Sequence, residues 1–227
     1  GRPGEPDRAW PQAVSEGRAL LARKARSFHL ATALLPEPVQ DDVAVLYGFC
    51  RVADDLADEP RSRAGAAAAL DRLEAELLGV AKPRALIAGY RHMAWRHAMP
   101  LGPARTLLRG VRTDLDDVAI EDDVALLRYC YRVAATVGLM LNRVLGVGGT
   151  EADACAVDLG LAMQLTNIVR DVREDAQQGR VYLPRHRLAA HGTSPEAMLA
   201  GTAPRPAVRA VALELLALAD ALYAHAA

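Results

Sequence analysis

The sequence predicts an all-α protein, and three observations predict it. Ala makes up about a fifth of the 227 residues, with Leu and Arg also frequent, a composition that favours helix. Runs of β-branched residues are scarce. Apolar residues recur at three- and four-residue spacing along most of the chain, which is the period of a helix face. On that period, helices are expected near 11–25, 38–58, 64–79, 83–98, 103–118, 122–146, 151–176 and 206–225. Pro and Gly mark the gaps. Pro36 and Pro38 separate the first two helices, Pro60 follows the second, Pro83 opens another, and Gly146-Val147-Gly148-Gly149 breaks the chain before 151, since Pro cannot continue a helix and Gly weakens one. Residues 177–205, with Gly179, Pro184, Gly192, Pro195, Gly201 and Pro204, read as the one long irregular segment. A loop of that length inside a compact domain is often functional. No internal repeat at solenoid spacing is found, and the Ala-rich run 64–69 reads as a helix start, with a linker as the alternative.

With 27 Lys+Arg against 28 Asp+Glu, the chain lacks the basic excess of a polyanion-binding protein, so nucleic acid is not an expected partner. Length and apolar content fit a single globular domain over 1–227. Cys50, Cys130 and Cys155 each lie in an apolar run, without CxxC or Cys/His metal spacing. They read as reduced core thiols, which excludes a disulfide scaffold or a zinc module. No stretch reaches about 18 uncharged apolar residues, and Gly1 to Trp10 lacks the apolar core of a signal peptide. The expected location is cytoplasmic, with contact to a membrane surface left open. His29, His92, His97, His186, His191 and His225 form no ligand-like cluster with the acids.

The chemistry concentrates in two short segments, Arg51-Val52-Ala53-Asp54-Asp55-Leu56-Ala57-Asp58 and Asn167-Ile168-Val169-Arg170-Asp171-Val172-Arg173-Glu174-Asp175. Each contains D-x-x-x-D, and residues four apart on a helix lie one turn above each other. Tyr47, Arg51, Asp54 and Asp58 therefore form one polar stripe, and Gln164, Asn167, Asp171 and Asp175 another. Each stripe lies opposite an apolar row. Either is readable as the solvated face of an amphipathic helix. Against that, aligned carboxylates repel, and a row of amide and carboxylate oxygens suits Mg²⁺, which binds through one or two carboxylates plus substrate phosphates. Arg51 and Arg170 are either salt-bridge partners of their own stripes or forks for phosphate oxygens.

Four blocks carry a resemblance: Ala25-Arg26-Ser27-Phe28; Leu46-Tyr47-Gly48-Phe49-Cys50-Arg51 with the first acidic motif; Tyr129 through Met140; and Gln164 through Asp171 continued by Gly179-Arg180-Val181-Tyr182-Leu183-Pro184. In this order and spacing the sequence resembles the squalene/phytoene synthases, most of all the bacterial phytoene synthases. These are head-to-head prenyltransferases of isoprenoid and carotenoid biosynthesis, with an all-α isoprenoid-synthase bundle around a central cavity. The resemblance implies that Asp54, Asp58, Asn167, Asp171 and Asp175 hold Mg²⁺, with Mn²⁺ as the alternative ion, and through it two diphosphates. Asp55 and Glu174 would be second-rank carboxylates. It implies that Arg26, Ser27, Arg51 and Arg170 meet diphosphate oxygens, that Phe28, Tyr47, Tyr129, Ala134, Gly138 and Gln164 line the cavity, and that 177–184 folds over it. Read on their own, Ala134 and Gly138 are equally small residues for close helix packing, and Tyr129 a core aromatic.

The implied reaction joins two geranylgeranyl diphosphates through a cyclopropylcarbinyl diphosphate to give phytoene. The alternatives are two farnesyl diphosphates giving squalene, hydroxysqualene or dehydrosqualene, with NADPH needed only for the squalene-type product, or a non-catalytic assembly factor. Family members run longer, so the chain reads as short of C-terminal helices, with an apolar face expected to be exposed around Leu213, Leu216 and Leu222. Oligomeric state is not readable from the sequence.

Overall fold

The computed structural model describes residues 5–24, 32–58, 62–116 and 118–227. Among these residues all regular structure is helical. The helices are α1 (Glu5–Lys24), α2 (Glu37–Asp58), α3 (Arg63–Leu78), α4 (Ala85–Arg96), α5 (Gly102–Thr113), α6 (Asp123–Cys130), a π-helical segment (Tyr131–Ala135), α7 (Thr136–Val144), α8 (Thr150–Gln177), α9 (Arg185–Ala190), α10 (Pro195–Leu199) and α11 (Arg205–Ala226). The expected helices are all present, most with ends within a few residues of those read from the sequence. Two readings are corrected. Segment 177–205 is not irregular throughout, because Ser194 caps α10 by accepting from the Ala197 N–H and Leu188 buries α9. The helix expected over 122–146 is continuous only with a π turn at 131–135. Thr136 Oγ1 donates to the Arg132 carbonyl there at 2.8 Å, occupying a backbone acceptor that the altered ladder redistributes.

The chain divides into two compact units, Gly1–Leu115 with Met140–Gly148, and Asp116–Leu139 with Gly149–Ala227. In the first, α1 lies close on α2 and α4 because glycines stand at the crossings. A Cβ at Gly17 would meet the Ala44 carbonyl oxygen at 2.3 Å, and one at Gly89 would meet Ala13 Cβ at 2.3 Å. Phe49 and Tyr90 stack at 4.2 Å between centroids, and Tyr90 donates to the Met140 sulfur at 3.0 Å. Asp42 on α2 is buried against Arg96 and His97 at the end of α4. Glu76, only 2% exposed, binds Arg84 through Nε at 2.9 Å, Nη2 at 3.0 Å and the backbone N–H at 3.1 Å. This carboxylate joins the end of α3 to the start of α4.

In the second unit, α11 lies on α8 with Val211, Leu215 and Ala219 buried beside Ala162, Leu165 and Ile168. Arg187 ties α9 to two elements, donating to Asp123 at 2.7 and 2.8 Å and to Glu214 at 2.6 Å. His191 and His225, without a role in the sequence reading, pair with Glu214 and Asp158. On α11, Leu213 is 54% exposed as expected, whereas Leu222 packs partly against the core. The stretch Asp123–Val144 is long and apolar enough to cross a membrane, a combination not noticed in the sequence. It carries Arg128 and Arg132 and buries Leu126, Tyr129, Cys130 and Ala135 in the protein.

Acid sensitivity follows from these pairs. Burial alone would raise the Glu76 carboxyl, but Arg84 and Arg72 outweigh it and hold it below the ordinary value. His191 and Arg187 lower Glu214. A carboxylate depressed by folding stabilises above its unfolded value, about 4, and loses that contribution as pH falls through the lower folded value. The melting temperature is therefore expected to drop as pH is taken below about 4.5, and Glu76→Gln to flatten the slope. A variant that keeps the full slope would place the sensitivity elsewhere.

Candidate active site

The two acidic stripes lie one in each unit, and each is built by a single helix. On α2, Tyr47, Arg51 and Asp54 are partly buried on the same face, and Asp58 is the last residue of the helix, its side chain outside the described residues. Arg51 Nη2 pairs with Asp55 one turn on. Of the two readings of Arg51, the salt bridge is thus formed, with Asp55 as its partner. Arg51 Nε is buried without a hydrogen-bond partner, so one face of the guanidinium keeps a donor for an oxygen anion. Burial, followed by Asp54 and Asp55 against the opposing effect of Arg51, raises the Tyr47 hydroxyl above its ordinary value. Tyr47 is consequently a donor at neutral pH. Burial and the Asp54 charge likewise hold the neighbouring Cys50 thiol protonated, in agreement with a core thiol, and burial pushes Cys130 up to about 12. All three cysteines are free.

On α8 the stripe comprises Gln164, Asn167, Asp171 and Asp175. Arg170 grips Asp171 with two bonds, Nε to Oδ1 at 2.7 Å and Nη2 to Oδ2 at 2.6 Å, and holds the Asp171 carboxyl below the usual range. The stripe continues backward at the same spacing to Gly160, where a Cβ would stand 2.5 Å from Ala135 Cα and 3.0 Å from the Ala134 carbonyl carbon. The face of α8 bearing the stripe is thus turned toward the π segment, which sets Ala134 on the side of Gln164. Gly138 is placed differently: its missing side chain leaves room for the Ala156 carbonyl oxygen, 2.7 Å from an ideal Cβ. Of the two readings of Gly138, helix packing is the one with a contact behind it.

Tyr129 is 8% exposed and stacks on Tyr182 at 4.9 Å between centroids. Val181, Tyr182 and Leu183 are all buried in the core of this unit, so 180–184 is anchored by three side chains and is not a loose flap. The stack was missed in the sequence, although both tyrosines lie in quoted blocks. Arg26, Ser27 and Phe28 lie outside the described residues.

In α2 and in α8 the second acid of the pair, Asp58 or Asp175, lies in the last turn, which carries no basic residue, and the first lies one turn before it. Carboxylates there face the negative end of the helix dipole as well as each other. On α8 the Arg170 pair offsets part of this at Asp171, and a bound cation would offset the rest. The donors are hard oxygens, the ligand type of Mg²⁺, although no group of three His, Cys, Asp or Glu close enough to hold a metal occurs among the described residues.

The helices are those of the all-α isoprenoid-synthase fold. The sequence matches the squalene/phytoene synthase family over residues 21–227, and the chain belongs to that family. It is 39% identical to a phytoene synthase of Rhodobacter capsulatus, over 92% of this chain and 63% of that protein. To a phytoene synthase of Thermus thermophilus it is 40% identical, over 91% of this chain and 70% of that one. Among solved structures, a dehydrosqualene synthase matches with TM-score 0.82 and 31% identity, over 97% of this chain and 78% of the other. A squalene synthase of Alicyclobacillus acidocaldarius matches with TM-score 0.85 at 24% identity, over 96% and 82%, which speaks for the fold alone. The chain thus spans just under two thirds of the first of these relatives.

Proposed function

We propose that residues 1–227 form a prenyltransferase domain that condenses two geranylgeranyl diphosphates head to head into phytoene, a step of carotenoid biosynthesis. The observation that carries this reading is the 39–40% identity to two phytoene synthases over about nine tenths of the chain. Asp54, Asp58, Asn167, Asp171 and Asp175 would hold Mg²⁺, or Mn²⁺ in its place. The ion supplies charge that neutralises the departing diphosphate. Arg51 and Arg170 share that task, each by exchanging its carboxylate partner, Asp55 or Asp171, for phosphate oxygens, a fork-to-fork substitution that leaves charge-assisted bonds on both sides. The first ionisation gives an allylic cation, which the double bond of the second substrate attacks to form the cyclopropylcarbinyl diphosphate. A second ionisation, rearrangement and loss of a proton give the hydrocarbon. Tyr47 donates toward diphosphate oxygen, and Tyr129 stacked on Tyr182 presents an aromatic wall that keeps water from the cation. Arg26, Ser27 and Phe28 complete the substrate-binding set. Gln164 begins the α8 row of polar side chains, Ala134 stands on the same side, and Gly138 supports them from the packed side. NADPH has no part in phytoene formation. A hydrocarbon product of this size leaves water for lipid, so a cytoplasmic enzyme in peripheral contact with a membrane is part of the reading.

The test is incubation with Mg²⁺ and, separately, geranylgeranyl and farnesyl diphosphate, with and without NADPH, followed by mass analysis of the extracted hydrocarbon. A C40 product without NADPH is expected. A C30 product would move the assignment to the farnesyl branch, and neither product nor stabilisation by a non-hydrolysable prenyl diphosphate would favour an assembly factor.

A further inference from the structure

Between Glu76 and Asp114 the chain carries seven basic residues, Lys82 through Arg112, and no Asp or Glu, although its net charge is −1. Three of the seven are neutralised from elsewhere in their unit: Arg96 by Asp42, Arg105 by Glu74 and Arg112 by Asp71. The turn after α3 is different. Arg72, Lys82, Arg84 and Arg91 gather there around one carboxylate, Glu76, which Arg84 and Arg72 already occupy. The Arg91 guanidinium lies over Gly79, 2.7 Å from where a Cβ would stand. At the tip of this basic turn, Val80 is 83% and Leu78 41% exposed. Behind it opens a cleft of about 500 Å³ lined by Leu56, Ala69 and Pro83, by the cations Arg72, Lys82 and Arg84, and by the one carboxylate Glu76 that they outnumber.

We propose that this turn and its cleft dock the chain on an anionic phospholipid surface, with Val80 and Leu78 entering the acyl boundary and a lipid phosphate held among Arg72, Lys82 and Arg84. An apolar tip beside cations that outnumber their one carboxylate gains nothing in water. At an anionic interface both parts contribute, the cations by attraction to the surface charge and the tip by burial. A free phosphate would use the cations and leave the tip exposed, so the combination favours lipid. The inference gives a place to the membrane contact proposed above, and it is read without turnover.

The experiment is co-sedimentation of the full chain with vesicles of phosphatidylcholine alone and with a quarter phosphatidylglycerol, at low and high salt. Binding is expected only to the anionic vesicles, weakening as salt rises. Lys82→Gln should weaken partition about fivefold and Val80→Asp by at least as much, both with unchanged melting, because each residue lies in an exposed turn. Leu213→Asp on α11 is the comparison and should bind as the unaltered chain does. Equal binding by Val80→Asp and Lys82→Gln, or loss confined to Leu213→Asp, would overturn the docking site while keeping the membrane contact. No binding by the unaltered chain would remove both. Full displacement by millimolar inorganic diphosphate, with the tip variant unaffected, would make the cleft a site for free phosphate and overturn the lipid assignment.

Discussion

Asp171→Asn should lower turnover by about two to three orders of magnitude, the usual effect of removing one preorganised group that stabilises transition-state charge. It should do so at little cost to folding. Arg170 is 65% and Asp171 33% exposed, and an ion pair open to solvent contributes about 0–1 kcal/mol. The Asn also relieves Asp175, one turn on, of a like charge at the negative end of α8. In a chain of this size the melting temperature should therefore shift by no more than about 4 °C. Because Arg170 holds Asp171 below the usual carboxyl range, the wild-type residue is charged at any working pH, so lowering pH modestly cannot mimic the variant. The measurements are turnover at saturating prenyl diphosphate through a Mg²⁺ titration, and melting without metal. Recovery of activity at raised Mg²⁺ is expected if Asp171 acts through the ion. A loss of ten degrees in melting, or unchanged turnover, would withdraw Asp171 from the site.

The helices were legible because each buries one face, and a buried face leaves a period in the sequence. The acidic stripes were legible for the complementary reason: Asp54 and Asp58, or Asp171 and Asp175, stand one turn apart, where like charges repel, and that spacing shows in the residue types alone. The partners of the arginines were not legible. Arg51 chooses Asp55 and leaves Nε buried, a choice set by rotamers and local burial that spacing does not fix. The π turn at 131–135 was invisible for a similar reason, since one extra residue in a helical ladder changes no composition and little periodicity. Gly138 shows the limit from the other side. A glycine on a helix reads alike whether it makes room for a ligand or for a neighbouring carbonyl, and only the Ala156 oxygen behind it separates the two.

Gly160→Val should be among the most damaging single changes in the second unit, and it should damage folding and catalysis together. Its Cβ would stand 2.5 Å from Ala135 Cα and 2.8 Å from the Ala135 nitrogen, and both are backbone atoms that no rotamer can move. The helix gains only about 0.3 kcal/mol in propensity when glycine is replaced by the β-branched Val, but overpacking a rigid contact costs about 1–3 kcal/mol, and more where backbones must separate. The net expectation is a loss of about 2 kcal/mol and a melting temperature lower by about 4–8 °C. Gly102→Ala supplies the comparison, because nothing lies within 4 Å of its Cβ position; it should be neutral or slightly stabilising. The functional consequence follows from the register of α8. Gln164, Asn167 and Asp171 continue the stripe that begins at Gly160, so pushing α8 off the π segment displaces the whole row of oxygen donors. In a preorganised site a misplacement of about 1 Å costs on the order of a hundredfold in rate. Turnover measured well below the melting point should therefore fall in Gly160→Val and not in Gly102→Ala. A variant that melts early yet turns over normally when cold would mean that the crossing holds the fold but does not set the position of the acidic stripe.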